Sequence, residues 1–88
     1  MMNAKEARNN SKNNNDLIIN EHLEKIGKLI KLASDNGELH ISYNYGSKLS
    51  YDNLQTIINK LKNLGYNAEN ENDNDKYYHS TYFLRIDW

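Results

Sequence analysis

The chain has 88 residues, no cysteine and no proline, with 38% hydrophobic and 26% charged residues and a formal net charge of −1. That allows one small domain, and it excludes a disulfide framework, a thiol nucleophile and a Cys-based zinc site. The balanced charge argues against a generic polyanion binder, whose footprint is strongly basic. No apolar stretch approaches the ~20 residues needed to span a bilayer, and no signal peptide is visible, so the expected compartment is the cytoplasm. Asparagine occurs sixteen times, isoleucine eight and valine never. All three facts fit A/T-rich codons better than a prion-like segment.

Residues 1–15 are polar, and the Asn-rich run at 9–15 buries too little to hold itself in place, so composition predicts a flexible arm. Asp16 is the expected N-cap of a first helix. Ile19, Leu23, Ile26, Ile30 and Ala33 recur at three- and four-residue steps and form its apolar face. Gly37 suits the left-handed residue that ends it. Residues 38–45 alternate as a strand, with Leu39, Ile41 and Tyr43 on one side and His40, Ser42 and Asn44 on the other. A second helix starts at Ser50, with Asp52 in its first turn and Leu49 and Leu54 in the two positions of a hydrophobic staple. Leu54, Ile57, Ile58, Leu61 and Leu64 form its buried stripe, and Gly65 closes it. A short strand at 66–69, an acidic turn at 70–76 and a longer strand at 77–88 complete the chain.

The order α-β-α-β-β, with a single domain over 16–88, predicts an α+β two-layer sandwich. Its three-stranded sheet is expected to be mixed, with the third strand in the middle: a right-handed crossover makes the first two strands parallel, the last two form a hairpin, and both helices cover one face. Inward positions are then Leu39, Ile41, Tyr43, Tyr82, Leu84, Ile86 and Trp88. The other face carries His40, Ser42, Asn44, Tyr77, His79, Thr81, Phe83 and Arg85. Phe83 stands out there, because a large apolar side chain on a wet sheet usually meets something. Aromatic residues with arginine are what interface centres favour.

Few residues suggest catalysis. His40-Ile41-Ser42 and His79-Ser80-Thr81 resemble the paired His-x-Thr/Ser signature of two-histidine phosphoesterases, a family that needs two lobes and far more chain. Two histidines without a third ligand define no zinc site, and the acidic turn lacks the glycine and distal glutamate of an EF-hand. No catalytic residue, metal or cofactor is therefore expected. Tyr45, Ser47 and Lys48, just before a helix N-terminus, form a candidate anion-binding group, although the loop lacks P-loop spacing. The most unusual local feature is acidic. Glu69, Glu71, Asp73 and Asp75 lie within seven residues, and residues 66–88 carry −3 whereas residues 1–65 carry +2. Regularly spaced carboxylates can occupy a basic groove built for phosphates.

The opening Met2-Asn3-Ala4-Lys5-Glu6-Ala7-Arg8 resembles openings found in small phage and prophage proteins. So does the close, Leu64-Gly65-Tyr66, an acidic turn, then Tyr82-Phe83-Leu84-Arg85-Ile86-Asp87-Trp88. That resemblance implies a small inhibitor of the anti-CRISPR or wider anti-defence kind. The expected function is thus non-catalytic binding of a host defence protein, such as a CRISPR effector, in the host cytoplasm. The expected contacts are Glu69, Glu71, Asp73, Asp75, Tyr77, Phe83 and Arg85, and the open sheet face is also a candidate homodimer surface. The alternative is a small nucleotide- or nucleic-acid-binding module using Tyr45, Ser47 and Lys48.

Overall fold

A computed structural model describes residues 1–71 and 82–88 of the chain. The first helix, α1, spans Ala4–Asp35, 32 residues and about 48 Å at 1.5 Å per residue. It is followed by β1 (His40–Asn44), α2 (Tyr51–Asn63), β2 (Asn67–Glu71) and β3 (Phe83–Asp87). The result is an α+β fold of two helices and a three-stranded antiparallel sheet.

Helix α1 starts well before Asp16, which lies inside it. Its N-cap is Asn3, whose Oδ1 accepts from the Glu6 N–H at 2.9 Å while its Nδ2 donates to Glu6 Oε1 at 3.2 Å. This reciprocal pairing, followed by Ala4, Lys5, Glu6 and Ala7, starts a helix that the Asn-rich run then only has to continue. Extending an existing helix adds one hydrogen bond per residue fixed, so poor formers are carried along once both ends are secured. Residues 4–15 are therefore an arm in packing terms only: nothing before Ile19 is buried. One side-chain bond ties this stretch to the domain, from Asn53 Nδ2 to Asn15 Oδ1 at 3.1 Å.

Both helices end in the same way. Glu38 N–H donates to Ala33 C=O, and Gly37 N–H to Ser34 C=O; in α2, Tyr66 N–H donates to Leu61 C=O, and Gly65 N–H to Lys62 C=O. These are Schellman closures, and they need a left-handed residue, supplied by Gly37 (φ 79°) and Gly65 (φ 97°). Ser50 caps α2 by accepting from Asn53 N–H at 3.2 Å.

Strand β3 lies in the middle of the sheet, between β1 and β2. Each outer strand pairs with it antiparallel, so the expectation of a mixed sheet is corrected: β1 and β2 run the same way but never touch. The third strand takes the centre because β1 and β2 are joined through α2, which leaves a gap between them for the last strand to fill. Strand β2 also runs two residues further than expected. Asn70 and Glu71, expected in the turn, pair with Leu84 and Phe83.

Ile41 and Tyr43 of β1, Ala68 of β2 and Leu84 and Ile86 of β3 share one face with Ile19, Ile26 and Ala33 of α1 and Leu54, Ile57, Ile58 and Leu61 of α2. Helix α1 packs on β1 and α2 on β2, with the two helices side by side. Leu39 and Tyr82, expected inside, are exposed. Leu39 precedes the first paired residue of an edge strand, and Tyr82 packs edge-on against Tyr45 at 6.0 Å between ring centroids.

Two substitutions test this packing. Leu84 has no exposed surface, so Leu84→Ala should cost about 2–5 kcal/mol in urea unfolding. Gly27 lies mid-helix, and a methyl group added there would meet nothing within 4 Å. Gly27→Ala should therefore stabilise the protein by about 1 kcal/mol, and a loss instead would mean that position is tightly packed.

Candidate binding face

The two helices cover one side of the sheet and leave the other bare among the described residues. The register sets three rows across that bare side. His40, Asp87 and Asn67 form the first, Ser42, Arg85 and Glu69 the second, and Asn44, Phe83 and Glu71 the third. Phe83, 36% exposed, is the one large apolar side chain in these rows. It sits on the central strand between Asn44 and Glu71, with Arg85 two residues along on the same side. Arg85 Nε lies 3.7 Å from Asp87 Oδ2, an exposed pair that holds the guanidinium along β3.

Four of the residues singled out from the sequence, Glu69, Glu71, Phe83 and Arg85, thus come together on adjacent strands. Because β2 extends to Glu71, the first two carboxylates of the acidic segment belong to the sheet and not to its turn. Asp73, Asp75 and Tyr77 lie outside the described residues, as does His79. Alternation put His40 on this face from the sequence, and the structure places it there beside Asp87.

Charge is divided between the layers. The rows carry Glu69, Glu71 and Asp87 against Arg85 alone. Every lysine among the described residues lies on a helix or, for Lys48, in the loop before α2. Nothing in the alternation pattern of the strands shows this division; it follows from which elements carry lysine.

The candidate anion group does not assemble. Tyr45 turns its hydroxyl away from the loop and donates to Asn70 Oδ1 at 2.7 Å, across the sheet layer on β2. Burial raises its pKa, against the smaller opposite effect of that hydrogen bond. Gly46 N–H is taken by Asn44 Oδ1 at 3.0 Å, while Ser47 and Lys48 stand exposed beyond it. No group of three or more metal-ligating side chains gathers among the described residues, and no helix there is long and apolar enough to cross a membrane.

One polar pair was not singled out from the sequence. His22 Nδ1 and the Tyr43 hydroxyl lie 2.6 Å apart between α1 and β1, with the rings edge-on. Tyr43 is buried, and its hydroxyl finds its hydrogen-bond partner in that imidazole. Burial, helped by the Lys25 charge and opposed by Glu21, lowers the His22 pKa, and burial raises that of Tyr43. The available signal was a histidine one step beside the apolar stripe, at a position facing a strand tyrosine. Comparison with protein-family models, with curated proteins and with solved structures finds no match to this chain.

The lowered His22 pKa has a definite pH consequence. The unfolded chain takes up a proton more readily than the folded one, so the stability this pair contributes is whole above 6.5, the ordinary imidazole value. It is lost as pH falls through the lowered folded value. The melting temperature should fall from pH 7.5 to pH 5, and His22→Gln, which keeps a polar side chain without titrating, should flatten that slope. An equally steep profile in the variant would remove His22 as its cause.

Proposed function

We propose that this protein is a non-catalytic binding protein that docks its bare sheet face on a basic protein surface, with carboxylates standing where nucleic-acid phosphates otherwise bind. The observation that carries this reading is the placing of Phe83 among Glu69, Glu71 and Asp87 on a face that holds no lysine among the described residues. An aromatic group supplies desolvated contact area at the centre of an interface. The surrounding carboxylates steer association with a positive partner and reject a negative one. The resemblance of the two chain ends to small prophage proteins points to the same kind of partner: a host defence protein that handles nucleic acid, such as a CRISPR effector, met in the host cytoplasm. Asp73, Asp75 and Tyr77 extend the proposed contact beyond the sheet. Both helices lie on one side of the sheet, which leaves this surface available to a partner.

The acidic rows favour protein over nucleic acid, because among the described residues phosphates would meet Glu69, Glu71 and Asp87 with Arg85 as the one guanidinium. The test is charge reversal. Glu69→Lys with Glu71→Lys should leave the melting temperature within about 3 °C, since both side chains are exposed. The same pair should abolish protection of a phage or plasmid target in cells carrying an active RNA-guided defence system. Protection by the double variant equal to that of the parent would refute the reading. Tight binding of a labelled single-stranded oligonucleotide, measured by fluorescence anisotropy, would favour the nucleic-acid-binding alternative in its place.

A further inference from the structure

The outer edge of β1 presents main-chain groups that the fold leaves unpaired among the described residues. Tyr45 N–H donates to Tyr82 C=O at 2.9 Å, and Trp88 N–H donates to Leu39 C=O at 3.0 Å. Hydrogen-bonded positions alternate along an antiparallel pair. Residues 39, 41, 43 and 45 therefore turn their main-chain groups toward β3, while His40, Ser42 and Asn44 turn theirs outward. Proteins usually protect such an edge with charge, proline or a bulge. Strand β1, with the sequence His-Ile-Ser-Tyr-Asn, has no charged residue and no proline. The opposite edge, β2, carries Glu69 and Glu71.

Beside this edge runs a groove of about 440 Å³, walled by Leu29 and Leu32 of α1, by Asn36 just past its end, and by Glu38, His40 and Ser42 of the strand side. Leu32 is 61% exposed and Leu29 39% exposed. On a helix of 3.6 residues per turn they fall on the β1 flank of α1, away from the α2 side where Leu23 and Ile30 pack. An unpaired edge and an apolar wall thus face the same space.

We propose that β1 accepts an additional strand there: an extended segment of the partner with alternating apolar and basic residues. Main-chain bonds to His40, Ser42 and Asn44 hold it. Its apolar side chains lie under Leu29 and Leu32 beside Ile41. Its basic side chains fall on the bare face beside His40, where Asp87 is the next residue of the row, and near Glu38, which lines the groove, and this charge complementarity decides the sign of the partner. A second copy of the chain does not fit the same place. Antiparallel pairing of β1 with itself sets the two strands about 4.8 Å apart, and each α1 lies over its own β1, whereas packed helices need about 8–10 Å. The inference rests on the basic partner proposed above and adds the way in which that partner is gripped.

A synthetic octapeptide alternating lysine and valine tests it. Titrated to about 1 mM, it should shift and protect from exchange the Ser42 and Asn44 amides in NMR spectra, and a glutamate–valine peptide should not. Ser42→Pro, whose lost N–H faces outward so that the β1–β3 ladder survives, should weaken the lysine–valine peptide about tenfold. Leu32→Asp, on an exposed helix position, should weaken it as well and serves if the proline variant misfolds. No shift at β1, equal binding of the acidic peptide, or binding indifferent to both substitutions would each overturn the proposal. Concentration-dependent self-association abolished by Ser42→Pro would also overturn it, in favour of a second copy. If the charge-reversed Glu69 and Glu71 variant loses inhibition while Ser42→Pro keeps it, the face reading stands and the added strand fails.

Discussion

Burial of one face of β3 is the interaction on which the rest of the structure depends. Leu84 and Ile86 have no exposed surface, and both outer strands reach the sheet only through pairing with this strand. Without it β1 and β2 are two unconnected segments, each lying under its own helix. The pairs that join them are far apart in the chain, His40 with Asp87 and Glu71 with Phe83. Closing loops of that size costs entropy before any ladder bond repays it, so the local helices can form early and the sheet closes late. The described residues form two helices, which lie side by side over the same apolar face. The bare face is therefore a direct consequence of how the core is made.

Much of this was readable from the residues because the signals were local and chemical. Ser50 and Asp52 mark the start of α2, and Gly37 and Gly65 mark both helix ends, since only a left-handed residue closes them without strain. Period-two alternation assigned Ile41 and Tyr43 inward and His40 and Ser42 outward. What could not be read depended on partners distant in sequence. The helical state of residues 4–15 is decided by a cap at Asn3 and a packed stretch after Ile19, whereas composition alone describes a polar tail. The extent of β2 is decided by β3, whose Leu84 and Phe83 give Asn70 and Glu71 a place in the ladder. The mixed sheet failed for a different reason. With the third strand between the other two, both pairings are antiparallel, and the parallel pair that a mixed sheet needs is never made.

The candidate site was legible in part for the same reasons. Phe83 and Arg85 follow from alternation on β3, and the structure adds their row partners. Glu69 and Glu71 were recognised as unusual, but Glu71 was assigned to a turn and only Glu69 to the strand. The inclusion of Glu71 in β2 changes its chemistry, because it then stands two residues from Glu69 on one face at a fixed spacing, which a turn does not provide. The candidate anion group shows the converse. Tyr45, Ser47 and Lys48 are close in sequence, yet the Tyr45 hydroxyl is drawn to Asn70, and the three never converge.

The bare face and the β1 edge differ in what they can discriminate. A face presents side chains, so it distinguishes partners by charge and shape. An edge presents main-chain groups, which every extended segment matches and which carry no information on sequence. Ser42 belongs to both, with its side chain in the row of Arg85 and Glu69 and its main chain turned outward. In the proposed mode a strand added at β1 therefore places its own outward side chains directly in line with those rows. The edge supplies attachment common to any extended chain, and the carboxylates of the face then determine which extended chain is kept. A domain with so small a core has little binding surface to spare, and sharing one strand between the two functions makes a continuous site from two modest ones.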